Sequence, residues 1–122
     1  MPNNNLLDKR NTNNQIYING SFYHRSEAKI SVFDSGFLLG DGIWEGLRLV
    51  NNQWLFIDEH IDRLIEGCLA IDITLNISRN QIKEAILETQ KINKMSDSAH
   101  ARVMITRGDK IKPFQQPSLS TS

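Results

Sequence analysis

Residues 32–48 decide how this chain is interpreted, and they read Val-Phe-Asp-Ser-Gly-Phe-Leu-Leu-Gly-Asp-Gly-Ile-Trp-Glu-Gly-Leu-Arg. Between residues 34 and 42 three glycines and two aspartates interrupt an apolar run: Gly36, Gly40, Gly42, Asp34 and Asp41. Glycine at this density brings the backbone close to a neighbouring group or turns it sharply. The spacing is neither that of a dinucleotide-binding fingerprint nor that of a P-loop. By itself it therefore indicates a tight connection between two strands.

The segment that follows the glycines, residues 43–50, alternates in polarity along the chain. A period of two predicts a β-strand, because successive side chains of a strand point to opposite faces. The run Trp-Glu-Gly-Leu-Arg within it indicates a strand that delivers specific side chains to a site.

The other patterns predict an α+β fold, in which an antiparallel sheet packs against two amphipathic helices. Asparagine-containing pairs suit tight turns between strands. Helical spacing of apolar residues behind the N-caps Asp58 and Ser78 predicts helices that end near Ala70 and Ile92. Predicted strands cover residues 15–18, 21–24, 43–50, 53–57 and 99–107, with a short extended segment at 29–33.

A single domain is predicted between two polar ends. Residues 1–14 are rich in asparagine and are expected to form a flexible leader. Residues 15–108 are expected to form the domain, which is long enough to bury a modest core. Residues 109–122 contain two prolines and no helix or strand pattern, as expected for an interdomain linker that is cut short.

Composition excludes several classes of protein. Fourteen basic and fourteen acidic residues give a formal net charge of zero, which argues against nucleic-acid binding because that affinity rests on neutralising phosphates. No apolar run approaches the roughly 20 residues that a membrane span needs. Cys68 is the only cysteine, so no internal disulfide can form, and this suits the cytoplasm. Its place in the helical pattern predicts a buried packing role.

Four arginines are the candidates for anion binding: Arg48, Arg63, Arg102 and Arg107. A guanidinium group binds a phosphate or a carboxylate through two parallel hydrogen bonds. Arginines that come from separate elements could therefore combine into one anion site.

Each of these residues also has a structural interpretation, which pattern alone favours. Arg63 could pair with Glu59 one helical turn away, and the strand arginines could be ordinary surface charges. His60 and His100 are more simply structural or exposed than catalytic. No histidine pair has ligand spacing with a carboxylate or thiolate, so no metal site is expected.

Taken together, the motifs resemble the N-terminal domain of class IV aminotransferases, the fold-type IV pyridoxal-phosphate enzymes. That family includes branched-chain and D-amino-acid aminotransferases, (R)-amine transaminases and aminodeoxychorismate lyases. The resemblance spans roughly residues 15–117 and rests on segments in the family's order: 33–37, 40–48, 59–64 and 101–108.

The resemblance implies a role for six residues. Arg63 matches the arginine that binds the phosphate of the cofactor, pyridoxal 5′-phosphate. His100 stands where branched-chain members often carry tyrosine, and the segment 110–114 lacks the carboxylate trap of D-amino-acid members, so substrate and stereochemistry stay open. The implied substrate-binding residues are Trp44, Gly46, Arg48, His100 and Arg102.

No catalytic residue is expected in this chain. In the family, the lysine that binds the cofactor covalently lies in the C-terminal domain, and none of the seven lysines here matches its motif. The chain is therefore expected to be an N-terminal fragment of an aminotransferase, inactive by itself.

The implied function is transfer of an amino group from an amino acid, or an amine, to a 2-oxo acid, by a cytoplasmic homodimer. A lyase of the aminodeoxychorismate type is one alternative, which analysis of the products would separate. The other is a stand-alone, non-catalytic binding module, which would be soluble, monomeric and cooperatively folded at this length.

Overall fold

The computed structural model describes residues 8–109, and within them two antiparallel sheets and three α-helices form. The α+β class, with an antiparallel sheet and two amphipathic helices, is confirmed. In chain order the elements are a 3₁₀ turn at Lys9–Asn11, β1 at Gln15–Ile18, β2 at Ser21–His24, α1 at Ser35–Leu39, β3 at Gly42–Val50, β4 at Gln53–Trp54, α2 at Ile57–Ala70, α3 at Arg79–Ile92 and β5 at Ala99–Thr106.

The hairpin of β1 and β2 has its predicted bounds. Asn19 and Gly20 connect the strands with φ values of 50° and 93°, and positive φ at both central residues is what a type I′ turn requires. Just before it, residues 8–14 of the expected leader contain the 3₁₀ turn, and the Arg10 side chain donates hydrogen bonds to the Asp97 and Ser98 carbonyls.

The three-stranded sheet has the order β4-β3-β5, with β3 antiparallel to both neighbours. β5 pairs with β3 over eight residues, from Gly42 opposite Thr106 to Leu49 opposite Ala99. β4 pairs only through Gln53 and Trp54. The predicted strand over 53–57 was therefore too long.

The predicted start of α2 was wrong. Phe56, not Asp58, is its N-cap, with a left-handed backbone (φ 56°) and no side-chain capping bond. The Asp58 carboxylate lies in the first turn and accepts a hydrogen bond of 3.1 Å from Lys83 of α3. The Asp58 carboxylate, which the capping pattern predicted would bind backbone amides, is thus part of an ion pair between two helices. The capping box that Ser78 forms with Gln81 at the start of α3 is confirmed.

The core lies between the two long helices and one face of the three-stranded sheet. Five buried side chains form its centre: Leu47, Ile61, Leu64, Ile82 and Ile86. Cys68 is free and fully buried, as predicted, and burial raises the pKa of its thiol. No helix among residues 8–109 has the length and apolarity needed to cross a membrane.

The predicted glycine loop contains a short helix, α1, that the sequence did not reveal. Asp34 caps it by accepting hydrogen bonds from the Gly36 and Phe37 amides, and Gly40 ends it in a left-handed conformation (φ 65°). Five residues are too few to display helical periodicity. The extended segment expected at 29–33 forms no strand, and a turn occupies residues 32 and 33.

Candidate functional site

All five residues expected to bind substrate lie on the exposed face of the three-stranded sheet. We call this surface, opposite the helices, the outer face. It is made of three cross-strand pairs between β3 and β5: Trp44 with Met104, Gly46 with Arg102, and Arg48 with His100. The alternation of each strand turns these side chains away from the core, so one backbone register brings the five together.

An aromatic ring and a guanidinium group are stacked on this face. The Arg102 guanidinium carbon lies 4.3 Å from the centroid of the Trp44 ring, within the range of a cation–π interaction. A Cβ atom built at Gly46 would lie 3.5 Å from the nearest Trp44 ring carbon, an ordinary contact. The glycine therefore leaves open space beside the Trp44 ring, although an added methyl group would not clash there.

The outer face is electropositive and partly apolar. Arg48 and Arg102 are both exposed there. Among the ion pairs of residues 8–109, neither arginine has a carboxylate partner. Trp44 and Met104 are each 55% exposed. Two guanidinium groups beside apolar surface suit a ligand that combines a carboxylate with a carbon chain.

Arg63, the expected phosphate-binding residue, lies apart from the outer face. It projects from α2, and its guanidinium group binds Glu45 of β3 through two hydrogen bonds, 3.0 Å from Nε to Oε2 and 2.9 Å from Nη2 to Oε1. Glu45 points to the opposite side of β3 from its neighbour Trp44. The alternative pairing with Glu59 was wrong, because the buried carboxylate of Glu45 is the acceptor.

Glu45 itself was missed by sequence reasoning. Its side chain is only 8% exposed, and it also binds His60 Nδ1 at 2.7 Å. The hydrogen bonds from Arg63 lower the pKa of this carboxyl group, burial opposes them, and the His60 bond adds to the lowering. The sequence did contain a signal for it: Glu45 occupies a core-facing position of an alternating strand, and a buried carboxylate requires partners.

Arg107, the fourth candidate, stabilises the fold. It is buried and donates to the Asp41 carboxylate from Nε at 2.7 Å and from Nη2 at 3.2 Å. Its remaining donors reach the carbonyl groups of Ile71 and Asp72, just after α2. Arg107 therefore connects the glycine loop, β5 and the end of α2.

Two glycines of the opening motif permit close packing at the end of β5. A Cβ atom at Gly36 would overlap the Thr106 Cγ2 atom, and one at Gly42 would lie 2.7 Å from the Ile105 carbonyl oxygen. Thr106 also donates a hydrogen bond of 2.7 Å to Asp34. The loop is thereby held against β5, which fixes where β3 begins. In the part of the chain described, no three His, Cys, Asp or Glu side chains are grouped to hold a metal ion.

Comparison with known proteins identifies the family. The sequence profile described as amino-transferase class IV matches residues 42–122. The chain belongs to the class IV aminotransferase family. The matched region begins at β3 and includes Glu45, Arg63 and the whole outer face.

Three relatives illustrate the range of this class IV family. Branched-chain-amino-acid aminotransferase-like protein 2 of Arabidopsis thaliana is 40% identical over 96 residues, which cover 79% of this chain and 17% of the relative. D-alanine aminotransferase of Bacillus licheniformis is 33% identical over 94 residues, which cover 77% of this chain and 33% of the relative. Aminodeoxychorismate lyase of Bacillus subtilis is 34% identical over 100 residues, which cover 81% of this chain and 34% of the relative.

The class IV chain spans about a third or less of the length of these curated relatives. Among solved structures, the branched-chain amino acid aminotransferase from Escherichia coli aligns with a TM-score of 0.77 at 23% identity, over 89% of this chain and 38% of that one. This likeness confirms the fold expected from the resemblance.

Proposed function

We propose that the protein carrying this chain is a pyridoxal-phosphate-dependent aminotransferase that moves an amino group from an amino acid, or an amine, to a 2-oxo acid. Membership of the class IV family supports the reaction. The observation that carries the proposal is the outer face, where Arg102 stacks on Trp44 and neither Arg102 nor Arg48 has a carboxylate partner among residues 8–109.

In this proposal the outer face binds the substrate. Arg48 and Arg102 bind the carboxylate, because a guanidinium group matches its geometry and charge. Trp44 contacts the apolar part of the substrate, and Gly46 leaves room for it. His100, paired with Arg48 across the strands, lies at the edge of this surface, where it contributes to substrate choice.

Arg63 is proposed to bind the cofactor phosphate. The residues present fit that group, because the Arg63 side chain is 70% exposed and only one edge of its guanidinium group is bound to Glu45. When bound, pyridoxal phosphate supplies the electron sink for amino transfer. This chain then anchors the phosphate and orients the substrate. The resemblance assigns none of its lysines to the catalytic role, and Lys83 is engaged with Asp58.

A homodimeric assembly and a cytoplasmic location belong to the same proposal. Both rest on the family resemblance, and the single cysteine agrees with a reducing compartment. Sedimentation of the natural gene product and cell fractionation test them.

A lyase is the second candidate, favoured by the 34% identity to aminodeoxychorismate lyase over 100 residues. The same cofactor anchor would serve both reactions. Product analysis separates them, because a lyase cleaves its substrate without consuming a 2-oxo acid acceptor.

The test uses the natural gene product with pyridoxal phosphate, a panel of L- and D-amino acids, and 2-oxo acid acceptors. We expect amino transfer to at least one acceptor. Arg48→Met and Arg102→Met should each raise the KM for the acceptor about tenfold, because each removes charged hydrogen bonds to its carboxylate. Arg79→Met is the matched control, since Arg79 pairs with Asp62 on α2, across the sheet from the outer face.

Two results would contradict this assignment. A protein that binds the cofactor but transfers no amino group to any acceptor would exclude an aminotransferase. An equal rise in KM for the control and for the outer-face variants would show that substrate does not bind at the outer face.

A further inference from the structure

The Glu45 carboxylate of β3 accepts hydrogen bonds from two side chains of α2, His60 and Arg63. Glu45 accepts from His60 Nδ1 at 2.7 Å, from Arg63 Nε at 3.0 Å and from Arg63 Nη2 at 2.9 Å. His60 and Arg63 are three residues apart and so share one face of the helix. An ionised carboxylate only accepts hydrogen bonds, so His60 is the donor in its contact. The carboxylate is thus fixed on the helix side from two positions.

The two partners of this ion pair are buried very unequally. The Glu45 side chain is 8% exposed, whereas that of Arg63 is 70% exposed. Glu45 engages the Nε edge of the guanidinium group and one N–H of Nη2. The far end, made of Nη1 and the second N–H of Nη2, has no partner among residues 8–109. That end is a two-donor fork of the kind that binds phosphate.

We propose that Glu45 is a positioning residue: it holds Arg63 by one edge of the guanidinium group and leaves the opposite end free for the phosphate of pyridoxal 5′-phosphate. This inference rests on the proposed function, in which Arg63 binds that phosphate. His60 assists by fixing Glu45 Oε1. An arginine that is already held in place has less side-chain freedom to lose when the anion binds, so its affinity for the anion is higher.

The negative charge of Glu45 does not cancel this advantage. Coulomb attraction falls with distance, and a phosphate at the far end of the fork is nearer to the guanidinium group than to the carboxylate behind it. Direct, charge-assisted hydrogen bonds from Arg63 to the phosphate therefore outweigh repulsion from the Glu45 carboxylate, which lies on the other side of the guanidinium group.

A purely structural role for the pair makes a different prediction. If Glu45 only stabilised the fold, its replacement would weaken all binding by this protein alike. If it positions Arg63, the loss is confined to ligands that carry the phosphate. Pyridoxal, which has the same ring without the phosphate, separates the two cases.

The test measures dissociation constants of the natural gene product for pyridoxal 5′-phosphate and for pyridoxal, by absorbance and fluorescence titration. Glu45→Gln keeps the shape of the side chain and removes its charge. We expect it to weaken the affinity for pyridoxal phosphate about tenfold, as loss of an outer partner weakens metal binding at metal sites. The affinity for pyridoxal should stay unchanged. Glu59→Gln is the matched control: it removes the same charge one turn from Arg63, but Glu59 is exposed and is not its partner.

A double-mutant cycle with Arg63→Ala completes the experiment. Glu45→Gln should add no further loss of phosphate affinity once Arg63 is absent. A loss that persists without Arg63, or that is equal for both ligands, would overturn the positioning role. If Glu45→Gln does not fold, Glu45→Asp is measured in the same way, with a smaller but equally phosphate-selective loss expected. A wild-type protein that binds neither ligand would instead overturn the proposed function, and the inference with it.

Discussion

Two arginine–carboxylate pairs flank the start of β3, and they use the same contact for opposite purposes. In both, the guanidinium group donates from Nε and Nη2 to one carboxylate, Asp41 for Arg107 and Glu45 for Arg63. In the first pair the arginine is buried, at 10% exposure, and its other donors reach backbone carbonyls. In the second the acid is buried and the arginine is exposed. Identical pairing therefore makes a structural clamp in one place and, in the proposed function, an anion anchor in the other.

Loss of the clamp should have the largest effect. Arg107→Ala removes two hydrogen bonds to the Asp41 carboxylate and two to backbone carbonyls. We expect the free energy of unfolding to fall by about 3 kcal/mol, as when one partner of a buried pair is removed. Chemical denaturation of the natural gene product measures this. A loss below about 1 kcal/mol, typical of surface pairs, would show that the pair contributes little to the fold.

Loss of the anchor should affect binding more than folding. In the proposed function Arg63→Ala removes charged hydrogen bonds to the cofactor phosphate, so affinity for pyridoxal phosphate should fall about 100-fold, or about 2.7 kcal/mol. The unfolding free energy should fall by less than for Arg107→Ala. Parallel cofactor titration and denaturation of the two variants check this contrast. If both variants lost stability alike, the distinction between clamp and anchor would fail.

Tight packing beside the clamp gives a third test. Gly36→Ala places a methyl group against the Thr106 side chain, which should cost about 2 kcal/mol of stability through overpacking. Gly46→Ala, whose new atom meets only an ordinary contact, is the matched control and should change stability little. The melting temperatures of the two variants test this, and similar decreases for both would contradict the packing role assigned to Gly36.

The smallest effect concerns pH. Arg63, chiefly, and His60 lower the pKa of Glu45 in the folded protein against the opposing effect of burial. A lowered folded pKa gives stability that is present above the ordinary glutamate pKa and is lost as the pH falls through the folded value. Wild type should therefore lose more stability on acidification than Glu45→Gln. Denaturation at a series of acidic pH values tests this, and parallel curves would argue against the lowered pKa.

The sequence predicted the strands of the outer face far better than the contacts on the other side of the sheet. Alternating polarity predicted β3 and β5, whereas the family resemblance supplied the five expected substrate-binding residues. The observed pairing of β3 with β5 places all five on one surface: Trp44, Gly46, Arg48, His100 and Arg102. Partners across the fold could not be obtained in this way. Glu45 meets Arg63 only because α2 crosses β3 at that point, a tertiary arrangement that no local pattern encodes.

Local patterns also failed where tertiary contacts competed with them. Asp58 has the character of an N-cap, but its carboxylate binds Lys83, and Phe56 is the N-cap of α2 instead. The short helix α1 depends on Asp34, which caps it and also accepts from Thr106 of β5. The Asp58 and Thr106 contacts join residues distant in sequence, so spacing along the chain could not predict them, and five residues are too few for α1 to display helical periodicity.

The most direct test of the central claim is a crystal structure of the natural gene product with pyridoxal 5′-phosphate bound. The account predicts phosphate oxygens within hydrogen-bonding distance of the free end of the Arg63 guanidinium group, with Glu45 still bound along its Nε edge. A phosphate bound elsewhere, with Arg63 directed only to solvent, would contradict the assignment of Arg63 as the anchor.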